Sequence, residues 1–196
     1  MVDGFQGLGT FDFDVRKTGV DFVVGGMLKY LLGCAGLAFL HVSEELIDKL
    51  VPTMTGWFAQ ADIFAMDNTR YDPSPTARRF ETGTPPVPNS YAAEAGLAII
   101  AEVGLPAIEN RIREITAAII AEAKRAGYTL AVPEDPERHG ALITLSSHDE
   151  NAIVAVLGAE GIVTSCRAGN LRISPHFYNN SDDRSEEHTS ELQSPC

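Results

Sequence analysis

Residues 22–40 read FVVGGMLKYLLGCAGLAFL, and the reading of these nineteen positions decides the fold. An apolar run of about 20 residues can cross a bilayer as a helix. Lys29 is the single charge in the run and stands near its middle, where insertion scales put lysine at about +2.5–3.5 kcal/mol. Gly25, Gly26, Gly33 and Gly36 also break the run into short pieces. It is therefore read as two short buried strands, DFVV (21–24) and LAFLHV (37–42), around a turn-rich segment. This leaves Lys29 among glycines, methionine, leucine and an aromatic, where a full charge is costly to keep. An amine sheltered in that way is a nucleophile of the Schiff-base kind, which makes Lys29 the first chemical suspect.

Working outward, residues 1–51 read as strand, turn, strand, turn, strand, helix. The helix is SEELIDKLV (43–51), with Ser43 as its cap and acids in its first turn. Such alternation belongs to α/β folds. Residues 52–88 carry Pro52, Pro73, Pro75, Pro85, Pro86 and Pro88 and are expected to be an irregular excursion, long enough to suggest function. One helix is expected from Asn89 or Ser90 to Val103. A second starts at Pro106, with Ile108, Ile112, Ile115 and Ile119 in one buried stripe, a Glu109–Arg113 pair on a wetter side and Gly127 as its stop. Strands are expected at ALITLS (141–146), GIVTS (161–165) and LRIS (171–174), with a helix near DENAIVAVLGAEG (149–161). The division expected is a sheet-bearing part over 1–104 and a small α/β domain over 105–183. RSEEHTSELQS (184–194) resembles the translation of a sequencing adapter, so 184–196 is set aside as a non-native tail.

The composition fits this picture. The chain has 196 residues, 44% apolar and 21% charged, ordinary values for a globular protein. A net charge of −12 argues against nucleic acid or anionic lipid as partners. Cys34, Cys166 and Cys196 form neither a disulfide framework nor a zinc pattern and suit a reducing cytoplasm. His41, His139, His148 and His176 are too scattered for a metal cluster, so no metal is expected, and packing or surface roles are read for them, His176 being the possible exception. There is no P-loop, GxSxG, HExxH or GxGxxG.

Three local features remain. Asp3 and Gln6, in DGFQ, stand three residues apart at the end of a strand, where α/β sheets present side chains to ligands. Lys29 follows after another strand, and Arg172 leaves a short strand in LRISPHFYN. A carboxylate for a ring nitrogen, an amine for a carbonyl and a guanidinium for a carboxylate are what a pyridoxal phosphate enzyme requires. Singly, Asp3 and Gln6 read more readily as turn residues than as ligands, and Arg172 as a surface ion pair.

In this order, DGFQGLGTFDFDVRKTGVDFVVGGMLKYLLGCAGLAFLHV (3–42), RRFETGTPP (78–86) and RAGNLRISPHFYNNSDD (167–183) resemble the class V aminotransferases, a branch of the fold-type-I pyridoxal phosphate enzymes with cysteine desulfurases, kynureninase and isopenicillin epimerase-like proteins. The resemblance implies the C-terminal part of a fold-type-I enzyme, a remnant of the large-domain sheet followed by a small α/β domain. It implies pyridoxal 5'-phosphate as cofactor, an amino acid as substrate and a homodimer. Lys29 would form the aldimine and move the proton at the substrate's α-carbon. Asp3 would pair with the pyridinium nitrogen, Gln6 would contact the phenolic oxygen, and Arg172 would hold the α-carboxylate. Thr84, in GTPP, would reach the phosphate of a neighbouring subunit's cofactor, with Trp57 in the same region; Trp57 reads equally as a core or interface aromatic.

Departures are visible as well. Desulfurases with the pattern R-x-G-x-x-C have a nucleophilic cysteine where this chain has Arg172, and Cys166 is out of register. Leu28 stands before the lysine where many members have histidine. The chain begins at the strand carrying Asp3, so it is expected to be an incomplete and inactive fragment, the activity belonging to its parent. A cysteine desulfurase or lyase of the same family, and a non-catalytic α/β module binding through 52–88, are the alternatives.

Overall fold

The structure is a computed structural model and describes residues 1–180. The adapter-like stretch 184–196 lies outside the described residues. Backbone contacts divide the chain into two units, one of Met1–Phe5 with Phe13–Ile99 and one of Gln6–Asp12 with Ile100 onward.

In the first unit, strands β1 (Val2–Asp3), β2 (Phe22–Gly26) and β3 (Ala38–Val42) form a sheet in that order. β1 runs parallel to β2, with Asp3 opposite Val24, and β3 runs antiparallel to β2. The apolar run 22–40 is thus two strands and a turn. Among the described residues no single helix is long and apolar enough to cross a membrane. Val23 and Val42 are buried, but Ala38, Phe39 and Leu40 are exposed, so β3 is not the buried strand expected. Helix α1 (Val15–Thr18) is capped by the Asp14 carboxylate, which accepts from the Arg16 and Lys17 amides. Helix α2 covers only Glu44–Ile47, shorter than expected, and the Ser43 side chain makes no capping bond.

The excursion 52–88 is more ordered than its prolines suggested. It contains two 3₁₀ turns, Trp57–Ala59 and Ala77–Phe80, and pairs residues 59–61 with 72–74 through backbone bonds from Ala61 N–H to Asp72 O and from Ser74 N–H to Ala59 O, both 2.8 Å. Arg79 is 6% exposed and donates to the carbonyls of Ser74, Ile47 and Leu50 and to the Asp48 carboxylate. A buried guanidinium stays affordable only when its donors are used in this way. Helix α3 (Val87–Val103) begins earlier than expected, because Pro88 fits a first turn that needs no amide there.

In the second unit, helix α4 (Leu105–Arg125) carries Ile108, Ile112, Ile115 and Ile119 on its buried stripe, as the spacing predicts. Gly127, at φ +84°, follows the helix where a left-handed residue is needed. Strands β4 (Ile143–Ser146), β5 (Ser165–Arg167) and β6 (Asn170–Ile173) form an antiparallel sheet with β6 in the centre, and helix α5 (Glu150–Ala159) connects β4 to β5. Ile143, Leu145, Leu171 and Ile173 meet Ile115, Ile119 and Leu157 in one core. The strand expected at 161–165 is displaced toward the C-terminus. Ala168 and Gly169, at φ +52° and +77°, form the two-residue hairpin turn that sets the β5–β6 register. His176 is buried, with its ring stacked on Tyr178, centroids 4.6 Å apart.

Candidate active site

The parallel pairing of β1 and β2 brings the ends of both strands to one edge of the sheet, where α/β folds place ligand groups. Asp3 ends β1. Its Oδ1 accepts the Phe5 amide at 3.0 Å, and the Gly4 amide donates to Val24 O at 2.8 Å. The Phe5 ring then lies against β2 at Gly26, where a Cβ would come within 2.1 Å of it. Lys29 leaves the same strand, with Nζ 5.3 Å from the centroid of the Phe5 ring, within the range of a cation–π contact. Asp3 and Lys29 therefore both contact one residue, Asp3 through the Phe5 backbone amide and Lys29 over the Phe5 ring.

Lys29 is exposed, contrary to the shelter expected from its apolar neighbours. In an irregular turn, neighbouring residues face different ways: Met27 and Tyr30 turn inward, and Leu28 and Lys29 outward. Apart from the Phe5 ring, the amine has no hydrogen bond or ion pair among the described residues. The turn itself is closely held. Leu32 N–H donates to Lys29 O at 3.0 Å and Gly33 N–H to Met27 O at 2.7 Å, and α3 presses on it, since a Cβ at Gly96 would lie 2.6 Å from the Leu31 and Leu32 carbonyl oxygens. The Asn89 amide, also on α3, donates to Ala35 O.

Trp57 and Thr84 stand on two segments that meet. The Phe58 amide donates to Thr82 O at 3.4 Å, and a Cβ at Gly56 would fall 1.7 Å from that oxygen. Trp57 is partly exposed and packs edge-on against Phe58, centroids 4.5 Å apart, while Thr84 is exposed.

Gln6 and Arg172 belong to the second unit. Gln6 is exposed at the start of a small loop that folds on itself: Thr10 Oγ1 donates to Gly7 O at 2.6 Å, and Gly7 packs under the Phe11 ring. The loop ends at Asp12, whose amide donates to Glu109 Oε2 at 3.0 Å. Glu109 also binds Arg113 at 2.7 Å. The Asp12 amide first, and the Arg113 guanidinium second, hold its carboxyl below the ordinary value near 4.5. Arg172 is half-buried on the central strand, opposite Thr144 on one side and Ser165 on the other, and lines a cavity of about 270 Å³.

Sequence reading missed Phe5, Gly26, Gly56 and Gly96. Three of these are glycines, of which only Gly26 was read as a chain breaker, and all three are points of close approach. A glycine inside a strand or helix pattern is the signal that could have found them.

A family model described as aminotransferase class V matches residues 1–183. The chain belongs to the class V aminotransferase family. Among characterised or catalogued relatives of this class V chain, an aminotransferase of unassigned activity, YcbU of Bacillus subtilis, is 32% identical over 183 residues, covering 93% of this chain and 48% of that protein. A kynureninase of Pseudomonas fluorescens is 28% identical over 164 residues, covering 81% of this chain and 39% of that protein. The apo structure of a cysteine desulfurase from Thermococcus onnurineus superposes with a TM-score of 0.86 at 22% identity, over 97% of this chain and 51% of that one. The chain spans about half the length of the relatives it matches. Its fold is that of the corresponding half of these fold-type-I enzymes, a mixed arrangement of helices and sheets.

Proposed function

We propose that the whole protein to which this chain corresponds is a pyridoxal 5'-phosphate enzyme of the aminotransferase type, acting on an amino acid by deprotonation at its α-carbon. The observation that carries this reading is that Asp3 and Lys29 each contact Phe5 at the sheet edge, the acid at its backbone amide and the amine over its ring. The donor set fits the cofactor. Asp3 Oδ2 and Lys29 Nζ have no hydrogen-bond partner among the described residues, so an acid and an amine are both uncommitted, as a ligand with a basic ring nitrogen and an aldehyde requires. When bound, pyridoxal phosphate supplies a sink for the electrons left at the α-carbon.

The residues divide the work. Asp3 keeps a proton on the ring nitrogen by ionic hydrogen bonding. Lys29 holds the cofactor through its amine and then moves the proton at the substrate's α-carbon, for which a flexible side chain on a rigid turn is suited. Gln6 contacts the phenolic oxygen, and Arg172 holds the α-carboxylate. Thr84 reaches a phosphate across a homodimer interface, with Trp57 beside it. The first 104 residues form part of the cofactor domain and those from 105 the small domain.

The test is borohydride reduction of the whole protein after incubation with pyridoxal phosphate, followed by peptide mass analysis. The expected result is a cofactor mass added to the peptide carrying Lys29 and lost in Lys29→Ala. A label elsewhere, or one that persists in the variant, overturns the assignment.

A further inference from the structure

Two of the hydrogen bonds that close the Lys29 turn belong to peptide planes lying directly against α3. The Leu31–Leu32 peptide donates its N–H to Lys29 O at 3.0 Å, and its carbonyl oxygen is 2.6 Å from the point where a Cβ of Gly96 would stand. The Leu32–Gly33 peptide donates its N–H to Met27 O at 2.7 Å, and its carbonyl oxygen is also 2.6 Å from that point. Gly33 repeats the approach, since a Cβ on it would lie 3.3 Å from the Cα of Ala93, one turn earlier on the same helix face. A further turn back, the Asn89 amide donates to Ala35 O. Leu32 itself stands at φ +59°, a left-handed conformation that a leucine keeps only where its surroundings impose it.

A peptide plane is rigid, so its two ends do not move separately. A methyl group at position 96 would sit roughly 1 Å inside ordinary van der Waals contact with both carbonyls. The obstacle on each side is backbone, so no side chain can swing away to relieve it. Turning either carbonyl from α3 swings the opposite N–H off Lys29 O or Met27 O. Moving the helix back instead draws Asn89 off Ala35 O. Either way the turn loses a bond that fixes the direction in which the Lys29 Cα sends its side chain.

We propose that Gly96 is a positioning residue for Lys29: its bare Cα lets α3, together with Asn89, clamp the two peptide planes that aim the amine. This rests on the role given to Lys29 under the proposed function and adds to it the element that orients the side chain. The Lys29 side chain is flexible and exposed, so its backbone is the part that the fold directs. Misplacing a reacting group by about 1 Å can cost about 10²-fold in rate.

The test compares the whole protein with Gly96→Ala and with Gly158→Ala, a control at a helical glycine that has nothing within 4 Å of its Cβ position. Each is incubated briefly with pyridoxal phosphate and reduced with borohydride, and peptide masses give the label on Lys29 relative to Lys17 and Lys49, exposed lysines of the same unit. This ratio should fall about tenfold in Gly96→Ala and stay within about twofold of the parent in Gly158→Ala. Amide hydrogen exchange of the same proteins without cofactor is the second readout. Peptides spanning 27–36 should exchange about tenfold faster in Gly96→Ala, while those of β2 keep their rate. Faster exchange in β2 as well marks a variant that has lost its fold. Asn89→Ala, which removes a bond and adds no bulk, then decides, with the labelling ratio expected to fall about threefold. An unchanged ratio overturns the proposal, and so does unchanged exchange over 27–36. If the parent is labelled at Lys29 and Gly96→Ala is labelled alike, Gly96 alone fails. If the parent itself takes label on Lys17 or Lys49 as readily as on Lys29, the reading of Lys29 fails and the proposal with it.

Discussion

Gly26 shows how much a single missing methyl can decide. The Phe5 ring occupies the volume where a Cβ at Gly26 would sit; Lys29 lies over that ring, and Asp3 accepts the backbone amide of the same residue. Gly26→Ala forces the ring away from β2 or bends the strand, an overpacking cost of about 1–3 kcal/mol. Urea unfolding of the variant should show that loss, and pyridoxal phosphate retention in the whole protein should fall with it. Retention at the parent level would mean that Phe5 is not the support described above. Asp3, Lys29 and Arg172 could be singled out from sequence because charged residues in apolar or strand-end contexts are conspicuous. Phe5 could not, because an aromatic among apolar neighbours looks like ordinary core until its two contacts are seen. The exposure of Lys29 was illegible for a related reason. Neighbours in sequence share burial only in a regular element, and 27–33 is a turn.

Among the elements, the loop Gln6–Asp12 and helix α4 are joined by one carboxylate. Glu109 accepts the Asp12 amide and the Arg113 guanidinium, and Arg113 also binds Glu137. Its folded pKa lies below the ordinary value near 4.5, so the unfolded chain takes up the proton more readily. The stability Glu109 contributes is present above about pH 4.5 and is lost as the pH falls through the folded value. Glu109→Gln should therefore flatten the dependence of stability on pH below about 4.5, as read by urea midpoints across an acid series. An unchanged acid limb would remove Glu109 from that role. The i,i+4 partner Arg113 was legible in the helix period, whereas the Asp12 amide, 97 residues away, follows from tertiary folding alone. The same limit explains β5. Its register is dictated by the Ala168–Gly169 turn, and an alanine at positive φ is not a turn signal that composition reveals.

At the scale of the whole molecule, each of the two units has its own construction. The second is a helix stripe laid on a three-stranded sheet, and the stripe of isoleucines was legible because a 3.6-residue period survives in sequence. Ile143 is fully buried at the centre of that core. Ile143→Ala should cost about 2–5 kcal/mol of stability by chemical denaturation followed by circular dichroism. A loss below about 1 kcal/mol would show that the core can close over the gap. The first unit is held differently, by backbone-directed bonds from Arg78 and Arg79 and by glycine contacts, and such bonds have no hydrophobic period to announce them.

Trp57 is the chain's sole indole, and it stands on the crossing of Gly56 and Thr82 in the first unit, whereas the isoleucine core belongs to the second. Its intrinsic emission is therefore a local gauge. A melting curve recorded through that colour describes the proline-rich crossing, and the helix-on-sheet core of the second unit, which holds no indole, calls for a probe of its own.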